Sequence, residues 1–431
     1  MMKMKLLKPF KPRLMRLIQS LLVICCTLFP WSATAVNQSK LSPDLFSSKT
    51  SRDIVERLLV KSLMQITEGN TTQAMDTVNE LLRTTPNFKL GHLIRGDLLS
   101  AQARTYGSNS ASLISSSTDE INGLREEARS RVSHYFSDDN KRLVPDLSVQ
   151  MNAEQQHLIL VDTFKSRLFV YKKSAAGLQY LADYYITIGK NGTDKSFEGD
   201  KRTPIGLYFS KARLTTPLSD FYGEGAYPLN YPNELDIYHK KTGSGIWLHG
   251  TPKDTYSRPP RASDGCVVLS NPDLKELQPI LETGNIPVII SNSIQWTDNS
   301  SAINNIAEIK PLNQALENWR ADWVSQNTNA YLDNYSKNFF YSDGKLAEWS
   351  AHKQRVLAGK PKITVKISNV SMFSYPIHNL DTNKVTSNTD QIVVINFDQQ
   401  YESPTLQNKM RKRQYWKHEN KQWKIIYEGA A

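Results

Sequence analysis

The period of the apolar residues changes twice along this 431-residue chain, so one uniform layer of secondary structure cannot account for it. Between residues 51 and 135 the spacing is helical. Val55, Leu58, Leu59, Leu63 and Ile66 share one face until Glu68-Gly69-Asn70 ends the run, and Ala74, Met75, Val78, Leu81 and Leu82 form a second stripe that stops before Pro86. A third stripe carries Leu90, Leu93, Ile94 and Leu98, and a Ser-rich stretch over 107–119 reads as a loop. From His157 the pattern is that of strands, with an apolar run at 158–161, a turn, and 167–171 forming a hairpin. Further strands are expected at 184–188, 206–209, 245–248 and 286–290, and one helix at 273–281. After Asn299 helices return, one carrying Leu312, Leu316, Trp319 and Trp323 and a second over 331–340. Alternating strands follow at 363–367, 391–397, 411–417 and 422–427, the last two joined by a four-residue loop over 418–421. A chain this long exceeds one ordinary core. The expected architecture is multidomain: an all-α region at 36–150, a mainly β domain at 151–295, a linker at 296–310 and an α+β domain at 311–431.

The first 35 residues read differently. Lys3, Lys5, Lys8, Lys11, Arg13 and Arg16 precede an apolar run at 17–31, and Ala33-Thr34-Ala35 offers a small-residue cleavage site. The run is shorter than the ~20 residues of a membrane span, so residues 1–35 are expected to be a signal peptide and the mature chain to begin near Val36 in the periplasm. An uncleaved anchor would also leave the body outside the cytosol. Those six cations reduce the formal charge from +11 to +5 when they leave. With no dense Lys/Arg stripe remaining, nucleic acid is a poor match, whereas an anionic wall polymer suits a mildly basic surface.

Cys25 and Cys26 would leave with the signal peptide, and Cys266 is then the sole remaining cysteine, in Ser263-Asp264-Gly265-Cys266. An exported lone thiol has no disulfide partner, which raises the question of a nucleophile. A thiol attacks a carbonyl only as thiolate, and at a pKa of ~8.5 it needs a nearby base. His249 is the natural candidate, placed at a strand end by Gly245-Ile246-Trp247-Leu248, with Gly250 leaving room for close approach. Gly265 lets the loop turn sharply and aim main-chain N–H groups at a developing oxyanion. The same residues also fit a buried loop cysteine and a strand histidine satisfied by hydrogen bonds.

Ile246-Trp247-Leu248-His249-Gly250 followed by Ser263-Asp264-Gly265-Cys266-Val267-Val268-Leu269 resembles the active-site signature of the L,D-transpeptidase catalytic domain, or YkuD domain. Lys201-Arg202-Thr203-Pro204-Ile205-Gly206 resembles that family's Thr-Pro-x-Gly segment, and 158–171 its opening hairpin, so the likeness spans roughly 154–291. The C-terminal part resembles the nuclear-transport-factor-like (NTF2-like) cone fold. The three-part layout is similar to that of the L,D-carboxypeptidases that set helical cell shape.

The resemblance implies an enzyme of peptidoglycan stem peptides, with Cys266 as nucleophile, His249 as base and then acid, and no metal or other cofactor. Gly250, Ser263, Asp264 and Gly265 would form or support the oxyanion loop, and Arg261, Arg258, Tyr222 and Tyr231 would bind substrate. An amine acceptor would give a 3-3 cross-link, water a trimmed tripeptide, and a different leaving amine the release of a wall-attached protein. A wall-binding scaffold is the non-enzymatic alternative. Two positions depart from the family pattern: Asp264 stands where many members have His, and Val268 where many have Arg or Asn. An ionised Asp264 would raise the thiol pKa; the alternatives are that Arg258 and Arg261 offset it, that it is exposed on the surface, or that it orients His249. Ser263 is expected to bond the loop or the histidine, and Trp247 to lie in the core. The helical region is assigned to homodimerisation, and the C-terminal domain to contact with the wall or a protein partner.

Overall fold

The computed structural model describes residues 51–105, 118–137, 143–147, 149–175, 177–298, 303–357, 362–376 and 391–431. The expected signal peptide, the start near Val36 and most of the Ser-rich stretch at 107–119 lie outside the described residues. The chain divides into two compact units.

The first unit is helical: α1 (Ser51–Thr67), α2 (Thr71–Thr84), α3 (Lys89–Thr105) and α4 (Thr118–Phe136). Its core joins Val55, Leu58 and Leu59 to Ala74, Val78, Leu81 and Ile94, from the stripes expected from the helical spacing, and adds Phe88 and Leu124. Helix α1 ends in a left-handed turn at Gly69, φ +79°. The Gly69 N–H donates to the Ile66 carbonyl and the Asn70 N–H to that of Gln65, which satisfies two otherwise orphaned carbonyls. Residues 252–260, which in sequence lie between His249 and Cys266, fold with these helices.

The second unit holds both remaining domains. It begins with β1 (Leu143–Pro145) and β2 (Val149–Gln150) and continues with β3 (His157–Asp162), β4 (Arg167–Ser174), β5 (Gly177–Tyr185), β6 (Ile188–Gly189), β7 (Gly206–Phe209) and β8 (Ala226–Pro228). Then come α5 (Glu234–Tyr238), β9 (Trp247–His249), β10 (Arg261–Ser263), β11 (Val267–Val268), α6 (Asn271–Leu281), β12 (Pro287–Ser291) and β13 (Trp296–Asp298). The main sheet has the order β5-β4-β3-β12-β7, beside a three-stranded sheet β11-β9-β8 and a pair β10-β6.

Period-2 alternation explains why the hairpin reads as an unbroken apolar run. Ile159, Val161, Leu168, Val170, Val288 and Ile290 face one way, toward Leu248, Val267, Leu274 and Leu277. Leu158, Leu160, Phe169, Tyr171 and Ile289 face the other way, onto Phe373, Val394, Tyr415 and Tyr427 of the C-terminal sheet. A polar seam reinforces that packing: Glu234 accepts from Arg413 (2.9 Å) and from the Tyr415 hydroxyl (2.7 Å), and Asn233 donates to the Tyr375 hydroxyl (3.1 Å).

The C-terminal domain comprises α7 (Ile303–Ser325), α8 (Thr328–Asp333), β14 (Tyr335–Tyr341), β15 (Gly344–Lys345), α9 (Leu346–Leu357), β16 (Thr364–Tyr375), β17 (Ile392–Ser403), β18 (Leu406–Glu419) and β19 (Gln422–Ala430). Its curved sheet runs β15-β14-β19-β18-β17-β16-β2. Inside it Glu428 accepts from Tyr335 (2.8 Å), from Gln414 (2.9 Å) and from Lys412.

Several elements differ from expectation. The helix expected over 331–340 is short α8 followed by strand β14, because Tyr335 pairs with Ile425 and Phe340 with Tyr427 and the aromatic residues favour that ladder. The loop at 418–421 is a two-residue turn, Asn420-Lys421, both with positive φ, the twist that tight hairpins require. Residues 143–145 pair with 296–298, and 149–150 add to the edge of the C-terminal sheet beside Met372 and Phe373.

Candidate active site

Strand β11 runs parallel to β9, with Val267 opposite Leu248 and Val268 opposite His249. Leu248 and Val267 are fully buried in the core. Alternation therefore turns His249 to the opposite face, and Cys266 is the last residue of the bend that leads into β11.

His249 is 1 % exposed. Its Nδ1 lies 2.7 Å from the Gly250 carbonyl oxygen. A carbonyl can only accept, so this bond places the proton on Nδ1 and leaves Nε2 as the basic nitrogen. Gly250 is itself fixed, its N–H donating to the Tyr222 carbonyl at 3.1 Å. The imidazole is walled by Tyr222, edge-on with centroids 5.1 Å apart, and by Phe221 at 5.8 Å. Trp247 is half-buried and stacks obliquely on Tyr222 at 4.9 Å. The expectation of a core tryptophan is corrected, since residues 247 and 249 are two apart and share a strand face.

Cys266 is half-buried, and its thiol donates to the Gly245 carbonyl at 3.3 Å. The preceding turn is pinned by side chains. Ser263 Oγ donates to the Cys266 carbonyl (2.6 Å) and accepts the Gly265 N–H (3.1 Å), so Ser263 bonds the loop. Gly265 has φ +125°, and a Cβ there would lie 2.8 Å from the Arg202 carbonyl oxygen, so only glycine makes this turn without strain. Its carbonyl accepts from Thr203 Oγ1 (2.9 Å), which in turn accepts the Gly189 N–H (2.9 Å). The Thr-Pro segment thus buttresses the turn before Cys266 from below.

Asp264 is exposed and ion-paired with Lys190, at 3.3 Å. Lys190 was not among the residues expected to offset this carboxylate. Its backbone N–H bonds the Ser263 carbonyl (2.8 Å), which carries the side chain to the turn. Arg261 is exposed on β10, opposite Ile188 of β6. Arg258 lies in the 252–260 segment that folds with the helices. Tyr231 is 6 % exposed, packs edge-on against Tyr208 and donates to the Thr242 carbonyl (3.1 Å), which engages it inside the fold. Burial pushes its phenol well above the usual range.

Asn271 is a further positioning residue that the motif reading missed. Its Oδ1 accepts from Glu224 N (3.1 Å) and Thr251 N (3.2 Å), and its Nδ2 donates to the Thr251 carbonyl (2.8 Å). It ties the loop bearing Tyr222 to the segment leaving His249. A hint was present in Ser270-Asn271-Pro272, a helix start with Ser270 as N-cap.

Residues 156–290 match the L,D-transpeptidase catalytic domain, YkuD, and residues 311–429 match the Cds6 C-terminal NTF2-like domain. The chain therefore carries an L,D-transpeptidase catalytic domain followed by an NTF2-like domain. Among solved structures it is similar to Bd1075 of Bdellovibrio bacteriovorus, with 28% identity and a TM-score of 0.54 over 67% of this chain and 98% of that one. It is also similar to the helical cell shape determining protein Pgp2 of Campylobacter jejuni, with 25% identity and a TM-score of 0.54 over 68% of this chain and 96% of that one. No curated protein matches the sequence.

Proposed function

We propose that this protein is a periplasmic peptidoglycan L,D-transpeptidase in which Cys266 is the nucleophile and His249 the base. The observation that carries the reading is the bond from His249 Nδ1 to the Gly250 carbonyl, on a strand paired in register with the one that Cys266 precedes. It leaves Nε2 to take the thiol proton. Sγ then attacks the carbonyl of meso-diaminopimelate in a tetrapeptide stem. The C–S bond forms, the C–N bond to the terminal D-alanine breaks, and the leaving amine takes the proton from His249. The side-chain amine of a second stem attacks the thioester, forming the 3-3 amide and returning the thiol. Oxyanion stabilisation is assigned to the backbone at Cys266, since the Gly265 N–H is engaged by Ser263 Oγ.

Arg261, exposed on the strand that leads into that turn, supplies positive charge for the stem carboxylates. Tyr222 and Phe221 beside the imidazole offer an apolar wall, Phe221 being 42 % exposed. A second reading has water as acceptor, trimming tetrapeptide to tripeptide. It is favoured by the likeness to a helical cell shape determining protein over most of the mature length.

The test is mass spectrometry of disaccharide-tetrapeptide after incubation with the protein and with Cys266→Ala. Cysteine-dependent dimers lacking one D-alanine support the transpeptidase, and tripeptide alone supports the carboxypeptidase. Turnover that persists in Cys266→Ala would sink both.

A further inference from the structure

The segment between the catalytic strand β9 and the nucleophile turn is gripped at its middle by the helical unit. Its ends belong to the catalytic domain: Thr251 is held by Asn271, and Arg261 pairs with Ile188. The intervening residues 252–260 are instead part of the helical unit. Ser257 Oγ donates to Glu127 Oε1 at 2.6 Å, with Ser257 4 % and Glu127 0 % exposed. The same oxygen accepts from Arg131 Nε (3.0 Å), and Arg131 also pairs with Glu56 of α1. One residue earlier, the Tyr256 N–H donates to the Asn87 carbonyl (3.1 Å), and Asn87 Nδ2 donates to the Lys253 carbonyl (2.9 Å). The Tyr256 ring is buried edge-on against Phe88, centroids 5.0 Å apart, and Arg131 lies over the other ring of that pair. A Cβ at Gly123 would stand 3.0 Å from Pro259, so α4 also lies close against the segment.

Burying a carboxylate and a guanidinium in a unit this small costs desolvation that an apolar pair would avoid. Arg131 also ties α4 to α1 through Glu56, and Glu127 carries that link on to the segment. Their geometry is that of a receptor for Ser257, since one Glu127 oxygen joins Arg131 to the segment. We propose that the helical unit acts as a positioning clamp on the connector between His249 and Cys266, with Glu127, through Ser257, as the positioning residue that holds the nucleophile turn in register with the base. The clamp acts through the covalent chain: Arg261 is five residues before Cys266 in sequence and starts the strand that carries Ser263. The inference rests on Cys266 and His249 being the reacting pair, and it gives the helical unit a role in acylation.

The test uses the full mature chain and the variants Ser257→Ala and Glu127→Gln, read in two ways. The first is the rate of Cys266 alkylation by iodoacetamide as a function of pH, which needs no substrate and so stands apart from the peptidoglycan reading. The second is the split between kcat and KM for disaccharide-tetrapeptide. The clamp predicts that Ser257→Ala lowers kcat on the order of tenfold, what one buried hydrogen bond to a charged group is worth, with KM little changed. It also predicts a displaced alkylation profile, while circular dichroism stays native and Ser257→Thr restores most of both readouts. Glu127→Gln keeps an acceptor without the charge and should fall between wild type and Ser257→Ala. It reads the same quantity if Ser257→Ala does not fold. An alkylation profile indistinguishable from wild type in a folded variant would overturn the clamp, whatever the substrate turns out to be. Loss of helical structure with an unchanged profile would reduce the contact to a purely structural one and overturn it equally.

Discussion

Thr203→Val is the sharpest probe of how the nucleophile turn is held. The hydroxyl of Thr203 is fully buried, accepts the Gly189 N–H and donates to the Gly265 carbonyl, both at 2.9 Å. Valine keeps nearly the same volume, so the substitution leaves packing intact and strands one backbone donor and one acceptor. Each stranded group costs about 1–3 kcal/mol. Partial relaxation toward solvent brings the expected loss to about 2–4 kcal/mol for the catalytic domain, read as a lowered urea midpoint by tryptophan fluorescence. Activity should fall as well, because the Gly265 carbonyl is then free to rotate and Cys266 follows it. Single-turnover acylation is expected to slow on the order of tenfold, equivalent to about 1.4 kcal/mol in the barrier. Thr203→Ser retains the hydroxyl and should keep most of both properties. If Thr203→Val shifts stability by less than about 0.5 kcal/mol, the size of an ordinary surface change, and acylates normally, the buttress described here does not operate.

Gly265→Ala must place a side chain at φ +125° and 2.8 Å from the Arg202 carbonyl oxygen. Strain of about 3 kcal/mol should displace the turn and lower acylation on the order of a hundredfold, measurable by stopped-flow quench. Lys190→Met removes an exposed partner of Asp264, so its stability cost should stay below about 1 kcal/mol. With the carboxylate no longer neutralised, the alkylation profile of Cys266 should move to higher pH; Asp264→Asn should move it the other way, and high salt should shrink both shifts. In the C-terminal domain, burial works to raise the Glu428 carboxyl, but Lys412, Lys353 and the hydrogen bonds outweigh it and hold the group below the usual glutamate range. A depressed folded pKa contributes stability above the unfolded value of about 4.3 that is lost as pH falls through the folded value. Glu428→Gln should therefore lower the thermal midpoint at neutral pH and flatten its fall in acid, seen by calorimetry between those limits.

The candidate pair could be singled out in the sequence because it sits in short motifs: a strand ending in His249-Gly250 and a turn ending in Gly265-Cys266. The strands of 157–171 were legible too, yet their unbroken apolar run hid a second packing partner. Leu158, Leu160, Phe169 and Tyr171 are buried because the C-terminal sheet covers that face, a contact no local period encodes. What escaped notice lies in pairings across long sequence separations. Lys190 reaches Asp264 through the short ladder between β6 and β10, and Thr203 reaches Gly265 from a different loop. The excursion of 252–260 into the helical unit carries little signal: apart from Tyr256 its residues are Pro and polar, as in any surface loop. Aromatic residues misled in both directions. Tyr331, Tyr335 and Phe339 fit a helical stripe as well as a strand until β19 supplies the neighbouring ladder, and Tyr231, whose motif left binding and loop packing both open, is held by Thr242 and Tyr208.

The most direct test of Cys266 as the acylated nucleophile is intact-protein mass spectrometry after rapid acid quench of the mature chain with disaccharide-tetrapeptide. The expected result is an adduct equal to the donor minus D-alanine, on a peptide containing Cys266, lost in Cys266→Ala and slow to form in His249→Ala. An adduct on another residue, or D-alanine release undiminished in Cys266→Ala, would contradict it.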